Sequence, residues 1–406
     1  MSTNFKIKYI NKIIGGVLAS LIILLTMSCH DSNTPPNYDT FNGWNVISSS
    51  KFRLYPIIDN KLVIISGHCE GVACLKGIDL ITGDEKWTYK NIDLESIFYN
   101  ATLYIDENRI CIPLKKKTLC IDKVSGLELW EYEHENVTLM EAHLSGAKDN
   151  IFRSGRNVNA HSLWQYSKGN GQQKLIKEFP TKLGANSIIR TPAIINQFNS
   201  ILVTSVDYYH VDEMDSYGFI IRIDENNALD TLLKTHNIKK ANFKPIPYHD
   251  EQVLLLINLS TLILYDLTKD AVLWQTDMPH SILTSRIEIV NDTIYYPCED
   301  EYLYALDAKN GSILWKSEGS GTPSRIACNN NYIFMTTGNS GFLNQYDKSS
   351  GKLLNKYKFS DYFRAIQRTI AIKDNVIVFS DGRFWYARDV SKLGSDLLLK
   401  QVINLQ

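Results

Sequence analysis

Residues 303–315, LYALDAKNGSILW, end a strand-like run at Asp307, turn at Gly311 and then place Trp315. An aspartate ends a strand well because its carboxylate accepts backbone N–H groups of the following turn. Glycine supplies the positive φ that a short hairpin loop requires. The indole of Trp315 is a large apolar plate that a single hairpin cannot bury. The segment therefore predicts a neighbouring repeat against which the tryptophan packs.

The same spacing, with glycine at +4 and tryptophan at +8 from the aspartate, recurs along the chain. DLITGDEKW and DKVSGLELW are complete copies, DLTKDAVLW and DKSSGKLLN each lack one of the three residues, and three weaker copies fill the gaps. The eight copies begin at positions 79, 122, 166, 224, 266, 307, 347 and 389. The tryptophans at +8 are Trp87, Trp130, Trp274 and Trp315. A period in the low forties predicts a repeat architecture.

Each copy also contains earlier strand candidates. Before Asp307 the chain reads SRIEIV, TIYYPC and YLYALD, and short polar turns separate these runs. β-Branched and aromatic runs bounded by Asn, Asp and Gly are typical of strands. With the tryptophan strand that follows each anchor, every repeat has four short antiparallel strands, which is the composition of a propeller blade. The sequence predicts an all-β, eight-bladed β-propeller.

The repeat resembles the tryptophan-docking motif of the quinoprotein-type, PQQ-like β-propellers, over about residues 44–400. That superfamily includes quinone-dependent alcohol dehydrogenases and the non-catalytic, BamB-like lipoproteins of outer-membrane assembly. The resemblance implies the propeller fold and a structural role for the docking tryptophans. It implies little about activity, since the same fold carries different functions.

The N-terminus predicts export. Residues 1–12 carry three lysines and no acid, residues 13–27 form an uncharged apolar run, and Ser28 precedes Cys29. This is the layout of a signal peptide, and the run is shorter than the roughly twenty residues of a membrane span. Cys29 resembles a lipobox cysteine, although Leu25 lies four residues before it rather than three. We expect lipidation at Cys29; an uncleaved anchor or simple secretion are the alternatives.

These features divide the chain into three parts. We expect a lipoprotein-type signal peptide at 1–28, a tether at 29–43, and the propeller at 44–406. The expected location is the cell envelope, with the protein anchored by lipid to the outer membrane and facing the periplasm or the cell surface.

Six further cysteines in an exported chain permit disulfides. A two-residue turn at Lys115 and Lys116 places Cys111 directly opposite Cys120, within disulfide reach. Cys69 and Cys74 flank the corresponding turn of the first repeat and could pair in the same way. Buried free thiols are the alternative for both pairs.

The sequence offers no catalytic, cofactor-binding or metal motif. It contains no haem-attachment C-x-x-C-H, no H-E-x-x-H, and no adjacent cysteines of the kind that the quinone dehydrogenases carry. A net charge of −1 gives no reason to expect nucleic acid as a partner. We expect a monomeric, non-enzymatic protein-binding module without a cofactor; a quinone-dependent oxidoreductase is the alternative.

The partner-binding surface is expected on the face that bears the loops between the second and third strands of the blades. The long spacing of the fourth repeat predicts an insertion there, SVDYYHVDEMDSYG, with tyrosines suited to contacts. Basic residues fall in blades 2 and 3 and acidic residues in blades 4 and 6, so the charges would steer a partner. The alternative is that these loops only keep hairpin tips soluble. The candidate residues are Lys115, Lys116, Lys117, Arg153, Arg156, Tyr208, Tyr209, Asp212, Glu213, Asp215, Tyr217, Glu299, Asp300 and Glu301.

Overall fold

The computed structural model describes residues 43–402. Within that span it leaves out 48–54, 70–71, 91, 93–102, 135–138, 141–142, 148, 157–158, 181–184, 190–192, 196–200, 211–216, 225, 237–244, 250, 283–286, 320–325, 338–340, 361–365, 367–369 and 396–398. The expected signal peptide, Cys29 and nearly all of the tether lie outside the described residues.

Antiparallel sheets follow one another along the chain, and each has the strand order A, B, C, D from the inside outwards. Blade 1 contains β2 (Ile57–Asp59), β3 (Leu62–Cys69), β4 (Val72–Asp79) and β5 (Glu85–Tyr89). Blade 2 contains β6 (Tyr104–Ile105), β7 (Arg109–Pro113), β8 (Lys117–Asp122) and β9 (Glu128–Glu133). Blade 3 contains β10 (Leu139–Met140), β11 (Ser145–Gly146), β12 (Asn150–Arg156), β13 (Ala160–Ser167) and β14 (Gln173–Pro180). Blade 4 contains β15 (Ala185–Ile189), β16 (Ala193–Ile195), β17 (Ile201–His210), β18 (Tyr217–Ile223) and β19 (Leu229–His236).

The second half of the chain continues this pattern. Blade 5 contains β20 (Ile246–Tyr248), β21 (Gln252–Ile257), β22 (Thr261–Asp266) and β23 (Ala271–Asp277). Blade 6 contains β24 (Glu288–Val290), β25 (Thr293–Pro297), β26 (Tyr302–Asp307) and β27 (Ile313–Glu318). Blade 7 contains β28 (Ala327–Cys328), β29 (Tyr332–Thr336), β30 (Leu343–Asp347) and β31 (Leu353–Phe359). Blade 8 contains β32 (Ala371–Lys373), β33 (Val376–Ser380), β34 (Phe384–Asp389) and, from the beginning of the chain, β1 (Gly43–Ile47). The predicted eight-bladed, all-β propeller is confirmed.

The apolar core lies between the blades. In the described part of the chain there are eight clusters of buried apolar side chains, and each joins two neighbouring blades. The cluster around Trp44, Val63 and Val378 joins blade 8 to blade 1 and so closes the ring. No blade buries its apolar faces alone, because each sheet is covered by its two neighbours.

The repeated tryptophan forms the outer part of these seams. Trp87 of blade 1 stacks over Gly126 in the C–D turn of blade 2, and its indole N–H donates to the Lys123 carbonyl at 2.9 Å. Gly126 has φ of +69°, and a Cβ there would lie 2.7 Å from the indole ring. Glycine is therefore required both for the turn and for the approach of the ring. Trp130 and Trp274 make the same contacts with the following blades, where the acceptors are Lys168 and Ala308.

The eighth blade differs from the prediction. The weak copy at Asp389 was expected to lead into a fourth strand of its own, but a 3-10 helix, Val390–Ser395, follows instead. The fourth strand is β1, which pairs antiparallel with β34. Trp44 lies opposite Ala387, docks over Gly83 of blade 1, and donates to the Leu80 carbonyl at 2.9 Å. Trp44 is thus the docking tryptophan of blade 8, although the other three strands of that blade come from the opposite end of the chain.

The weaker repeats show two further differences. In blade 3 the turn begins at Ser167, not at Tyr166, because the Gly171 N–H donates to the Ser167 carbonyl as in the complete copies. Blade 4 provides no tryptophan, and Arg222 instead donates to the Leu267 carbonyl of blade 5. The C-terminal strand β35 (Leu399–Val402) pairs with β31 as a fifth strand of blade 7. No helix in the described part of the chain has the length and apolar character that crossing a membrane requires.

Replacement of Trp44 by alanine tests how the ring is closed. Trp44 is 3% exposed, and loss of a buried tryptophan side chain costs about 3–5 kcal/mol of unfolding free energy. We expect Trp44→Ala to lower the unfolding free energy by that amount in a denaturant titration. The control is Ile81→Ala, at an exposed position of the adjoining turn, where a change within about 0.5 kcal/mol is expected. If both substitutions changed the unfolding free energy equally, Trp44 would not be the residue that holds the ring closed.

Candidate functional site: the loop face

Because adjacent strands are antiparallel, all B–C turns and D–A connections emerge on one side of the ring, here called the loop face. The A–B and C–D turns emerge on the other side, here called the turn face. Blades 2 and 6 are separated by three blades in either direction, so their B–C turns lie across the ring from each other. The two turns carry opposite charges. Lys115 and Lys116 stand in the first and Glu299, Asp300 and Glu301 in the second.

The turn of blade 2, residues 114–117, is called the basic loop. Two of its carbonyls accept backbone hydrogen bonds: the Leu114 N–H donates to the Lys117 carbonyl, and the His134 N–H, from outside the loop, donates to the Lys116 carbonyl, both at 2.9 Å. Lys117 is the first residue of β8 and forms an ion pair with Glu131 at 2.7 Å. Lys116 is exposed and Lys115 half-buried. A fixed backbone thus presents two lysine side chains.

Arg153 was expected on the binding surface, and this expectation is wrong. It lies in the middle of β12 with 0% of its surface exposed. Its guanidinium donates to the carbonyls of Leu114 and Lys117 and to the hydroxyl of Thr118. A planar guanidinium with five N–H groups suits such a cluster of acceptors. Arg153 therefore holds the basic loop from within and does not itself face a partner.

Two disulfides lie in the hairpins of blades 1 and 2. Cys111 and Cys120 are direct cross-strand partners, which confirms the predicted register, and their sulfurs are bonded. Cys69 and Cys74 are bonded across the B–C turn of blade 1. The first pair lies beneath the basic loop, within the core between blades 2 and 3. Each disulfide reduces the conformational freedom of a hairpin whose turn lies at the loop face.

A buried histidine completes the support of the basic loop. The His134 ring contacts Trp164, and its Nε2 lies 2.6 Å from the hydroxyl of Tyr166. Burial, together with the positive charge of Arg153, lowers the pKa of His134 to about 4. The imidazole is therefore neutral at pH 7. Sequence analysis missed His134, because nothing in its neighbourhood along the chain indicates that it is buried.

The turn of blade 6, residues 298–301, is called the acidic loop. The Tyr304 hydroxyl donates to Asp300 at 2.6 Å, and the Ser281 hydroxyl donates to Glu299 at 3.1 Å. Burial alone would raise the pKa of Asp300, but hydrogen bonds from Tyr304 and its neighbours lower it overall. Glu301 is exposed and has φ of +73°. Its carboxylate stands free of the loop's internal bonds at the tip of the turn.

The insertion of blade 4 is arranged differently from the prediction. Tyr208 and Tyr209 belong to the ten-residue strand β17, and Tyr217 begins β18, so the hairpin is lengthened by strand as well as by loop. Tyr208 and Tyr217 are cross-strand partners at its end. The predicted acidic residues Asp212, Glu213 and Asp215 lie outside the described residues. Arg156, the last residue of β12, is half-buried beside the B–C turn of blade 3.

The central channel holds a cavity of about 240 Å³ on the side of blades 6, 7, 8 and 1. Its described lining is mainly aliphatic and includes Ile57, Val290 and Ile370, with Glu288 and Cys328 as the ionisable side chains. A tricarboxylate quinone requires cationic partners, which this described lining does not supply. Among the described residues no group of three or more metal-binding side chains is assembled. The described lining of this cavity is therefore unlike a site for the quinone cofactor of the dehydrogenases.

Comparisons with known proteins agree with this architecture. The sequence profile of the family described as outer membrane protein assembly factor BamB matches residues 232–389. BamB from Moraxella catarrhalis superposes with a TM-score of 0.56 at 12% identity, over 85% of this chain and 97% of that one. Quinohemoprotein alcohol dehydrogenase from Comamonas testosteroni superposes with a TM-score of 0.55 at 10% identity, over 86% and 76%. Sqt1 from Saccharomyces cerevisiae gives 0.57 at 11%, over 86% and 98%.

No curated protein sequence matches the chain. At these identities the similar structures establish the fold alone. The blade topology shows a propeller, and the profile match covers residues 232–389, from blade 4 to blade 8. The chain is thus similar to this family over residues 232–389, and the similar structures show the propeller fold.

The pKa of His134 predicts a pH dependence of stability. An unfolded chain protonates this imidazole near pH 6.5 and the folded protein near pH 4, so between these values the unfolded state binds more protons. Stability therefore falls as the pH is lowered from 6.5 to 4, by up to about 3 kcal/mol from this group. His134→Gln, which keeps a hydrogen-bonding side chain, should flatten the dependence in denaturant titrations across this range. If the unfolding free energies of the unsubstituted protein and of His134→Gln depended on pH in the same way, His134 would not be buried and neutral.

Proposed function

We propose that the protein is a non-enzymatic scaffold of the cell envelope that binds a protein partner through its loop face. The observation that carries the proposal is the basic loop. Arg153 and the His134 N–H hold its backbone through the carbonyls of Leu114, Lys116 and Lys117, and the loop presents the side chains of Lys115 and Lys116. A site that is ordered before binding loses less conformational entropy on association. Similarity to BamB supports a role in the assembly of outer-membrane proteins.

Charge separation on the loop face supports recognition of a partner with complementary charges. The basic loop of blade 2 and the acidic loop of blade 6 stand across the ring, while the whole chain has a net charge of −1. Such a dipolar face orients an approaching protein and accelerates encounter more than it tightens the complex. The proposed partner therefore carries an acidic patch and a basic patch at a matching separation.

A quinone-dependent oxidoreductase is the second candidate function, favoured by the similarity to the Comamonas dehydrogenase. The aliphatic lining of the channel cavity argues against it. Reconstitution with pyrroloquinoline quinone and calcium, followed by absorbance titration and a dye-reduction assay, separates the two functions. Saturable binding with turnover would replace the scaffold proposal.

Charge reversal of the basic loop tests partner binding. We expect Lys115→Glu with Lys116→Glu to slow association with the partner captured from solubilised membranes by about tenfold at low salt, because electrostatic steering is reversed. Its salt dependence should also flatten. Lys117 is left unchanged because of its ion pair with Glu131.

The matched control reverses two exposed lysines on the turn face, Lys174→Glu with Lys352→Glu. Both variants change the net charge equally. A difference between their association rates in surface plasmon resonance therefore reports the position of the charges and not their total. Equal association rates for the two variants, with unchanged melting temperatures, would contradict binding at the basic loop.

Anchoring through Cys29 is also proposed, with the signal peptide at 1–28 removed and 29–43 serving as a tether. Cys29→Ala should move the protein from the membrane fraction to the soluble fraction without changing its melting temperature, because the acyl groups provide the firm attachment. Fractionation of cell envelopes, followed by mass analysis of the N-terminal peptide, measures this. Continued membrane retention of the processed variant would show that lipid on Cys29 is not the anchor.

A further inference from the structure

The exposed apolar side chains of the propeller are gathered at one edge. Among the described residues, twelve large apolar side chains are exposed, and only Val72 lies near the loop face. The other eleven lie in C–D turns or in the first three residues of outer strands, and together they are called the apolar rim. The apolar rim consists of Ile81, Val124, Leu127, Leu129, Leu175, Leu229, Val272, Leu273, Ile313, Leu314 and Leu354.

The geometry of a propeller explains the exposure of these residues but not their apolar character. Blades diverge towards the circumference, so the faces of outer strands are uncovered there. At such positions polar side chains would fold equally well, and a single exposed leucine has no special meaning. Here, however, Val124, Leu127 and Ile81 are 78%, 69% and 64% exposed on neighbouring blades. An apolar band at one edge of the molecule indicates a contact surface.

The described chain begins at this same edge. Strand β1 is antiparallel to β34, with Gly43 opposite Arg388 and Ile47 opposite Phe384. Arg388 precedes Asp389, which stands where the other blades have the aspartate of the C–D turn. Gly43 therefore lies at the turn face, and the 42 residues before it, which include Cys29, join the propeller there.

Exposed lysine side chains lie near the apolar rim on the turn face. Lys269 and Lys309 lie in C–D turns with side chains 67% and 68% exposed, and they form ion pairs with Asp266 at 3.2 Å and with Asp292 at 2.8 Å. The turn aspartates accept N–H groups of their own turns, since Asp266 accepts the Lys269 N–H and Asp307 accepts the Lys309 N–H. Exposed ammonium groups beside apolar side chains are the arrangement found in proteins that lie on anionic membranes.

We propose that the apolar rim contacts the surface of a phospholipid bilayer, with its side chains among the headgroups and the loop face directed away from the membrane. The inference rests on the proposed anchor at Cys29, which would keep the turn face close to the lipid. It adds an orientation to the proposed function, because the basic and acidic loops would then face outwards from the bilayer towards a partner.

Site-specific fluorescence tests this orientation. The polarity-sensitive fluorophore NBD is attached to Leu127→Cys on the apolar rim, and separately to Lys116→Cys on the loop face as the matched control. The lipidated chain is reconstituted into vesicles of phosphatidylethanolamine and phosphatidylglycerol. The background from native thiols is measured on the unsubstituted chain; burial raises the pKa of Cys298 to about 11 and that of Cys328 to about 12, which slows their labelling.

On attachment to vesicles we expect the emission at position 127 to shift to the blue and to be quenched by nitroxide-bearing lipid, with no change at position 116. No change at position 127, or a shift at position 116 instead, would overturn the proposal.

A second arm separates this inference from the anchor. The mature chain carries an N-terminal polyhistidine tag in place of Cys29 and is attached to vesicles through nickel-chelating lipid, so the fluorescence test no longer depends on lipidation. In the untagged Cys29→Ala chain, Val124→Ser with Leu127→Ser and Leu129→Ser should reduce vesicle partition about tenfold, and Val72→Ser should not. The proposal would be overturned if position 127 showed no lipid contact and sedimentation velocity showed a dimer that the triple substitution dissociates. The apolar rim would then be the interface with a second copy of the chain.

Discussion

The indole ring of each docking tryptophan is held between two blades, and the closed ring depends on this contact. The ring covers the turn glycine of the next blade, and the N–H groups of Trp44, Trp87, Trp130 and Trp274 donate to turn carbonyls there. A blade of four short strands has two apolar faces and cannot bury either by itself. The tryptophan therefore joins one unit to the next at the circumference, where the blades diverge. Trp44 makes the same contact between the last blade and the first, so the two ends of the described chain are joined.

Where the repeat is complete, the sequence was sufficient to predict the blades, since Asp, Gly and Trp each have a local physical role that fixes their spacing. The register of Cys111 against Cys120 followed from the same strand pattern. The strand that completes blade 8 was not predicted, because β1 pairs with a strand more than 300 residues away and no local pattern encodes such a contact. The error at Tyr166 has a similar origin: without aspartate in the turn, the anchor could not be distinguished from its neighbour Ser167.

The candidate site was predicted at the level of loops and not of side chains. Lys116 and Glu301 are exposed at the tips of turns, as the pattern of charged residues between strands indicated. Arg153 was misassigned because burial of an arginine depends on acceptors brought together by tertiary structure, here the carbonyls of Leu114 and Lys117. His134 was missed for the same reason. Both residues support the basic loop from inside, so the preorganisation of the site is visible only in the folded protein.

In the proposed arrangement the two faces of the ring have different roles: the loop face binds a protein partner, and the turn face lies on the membrane. Cross-linking of intact cell envelopes with an amine-reactive reagent, followed by mass spectrometry, tests this assignment most directly. Lys115 and Lys116 represent the loop face, and Lys269 and Lys309 represent the turn face. The account predicts cross-links to another protein from the first pair and not from the second. Cross-links to another protein from Lys269 and Lys309, with none from the basic loop, would contradict it.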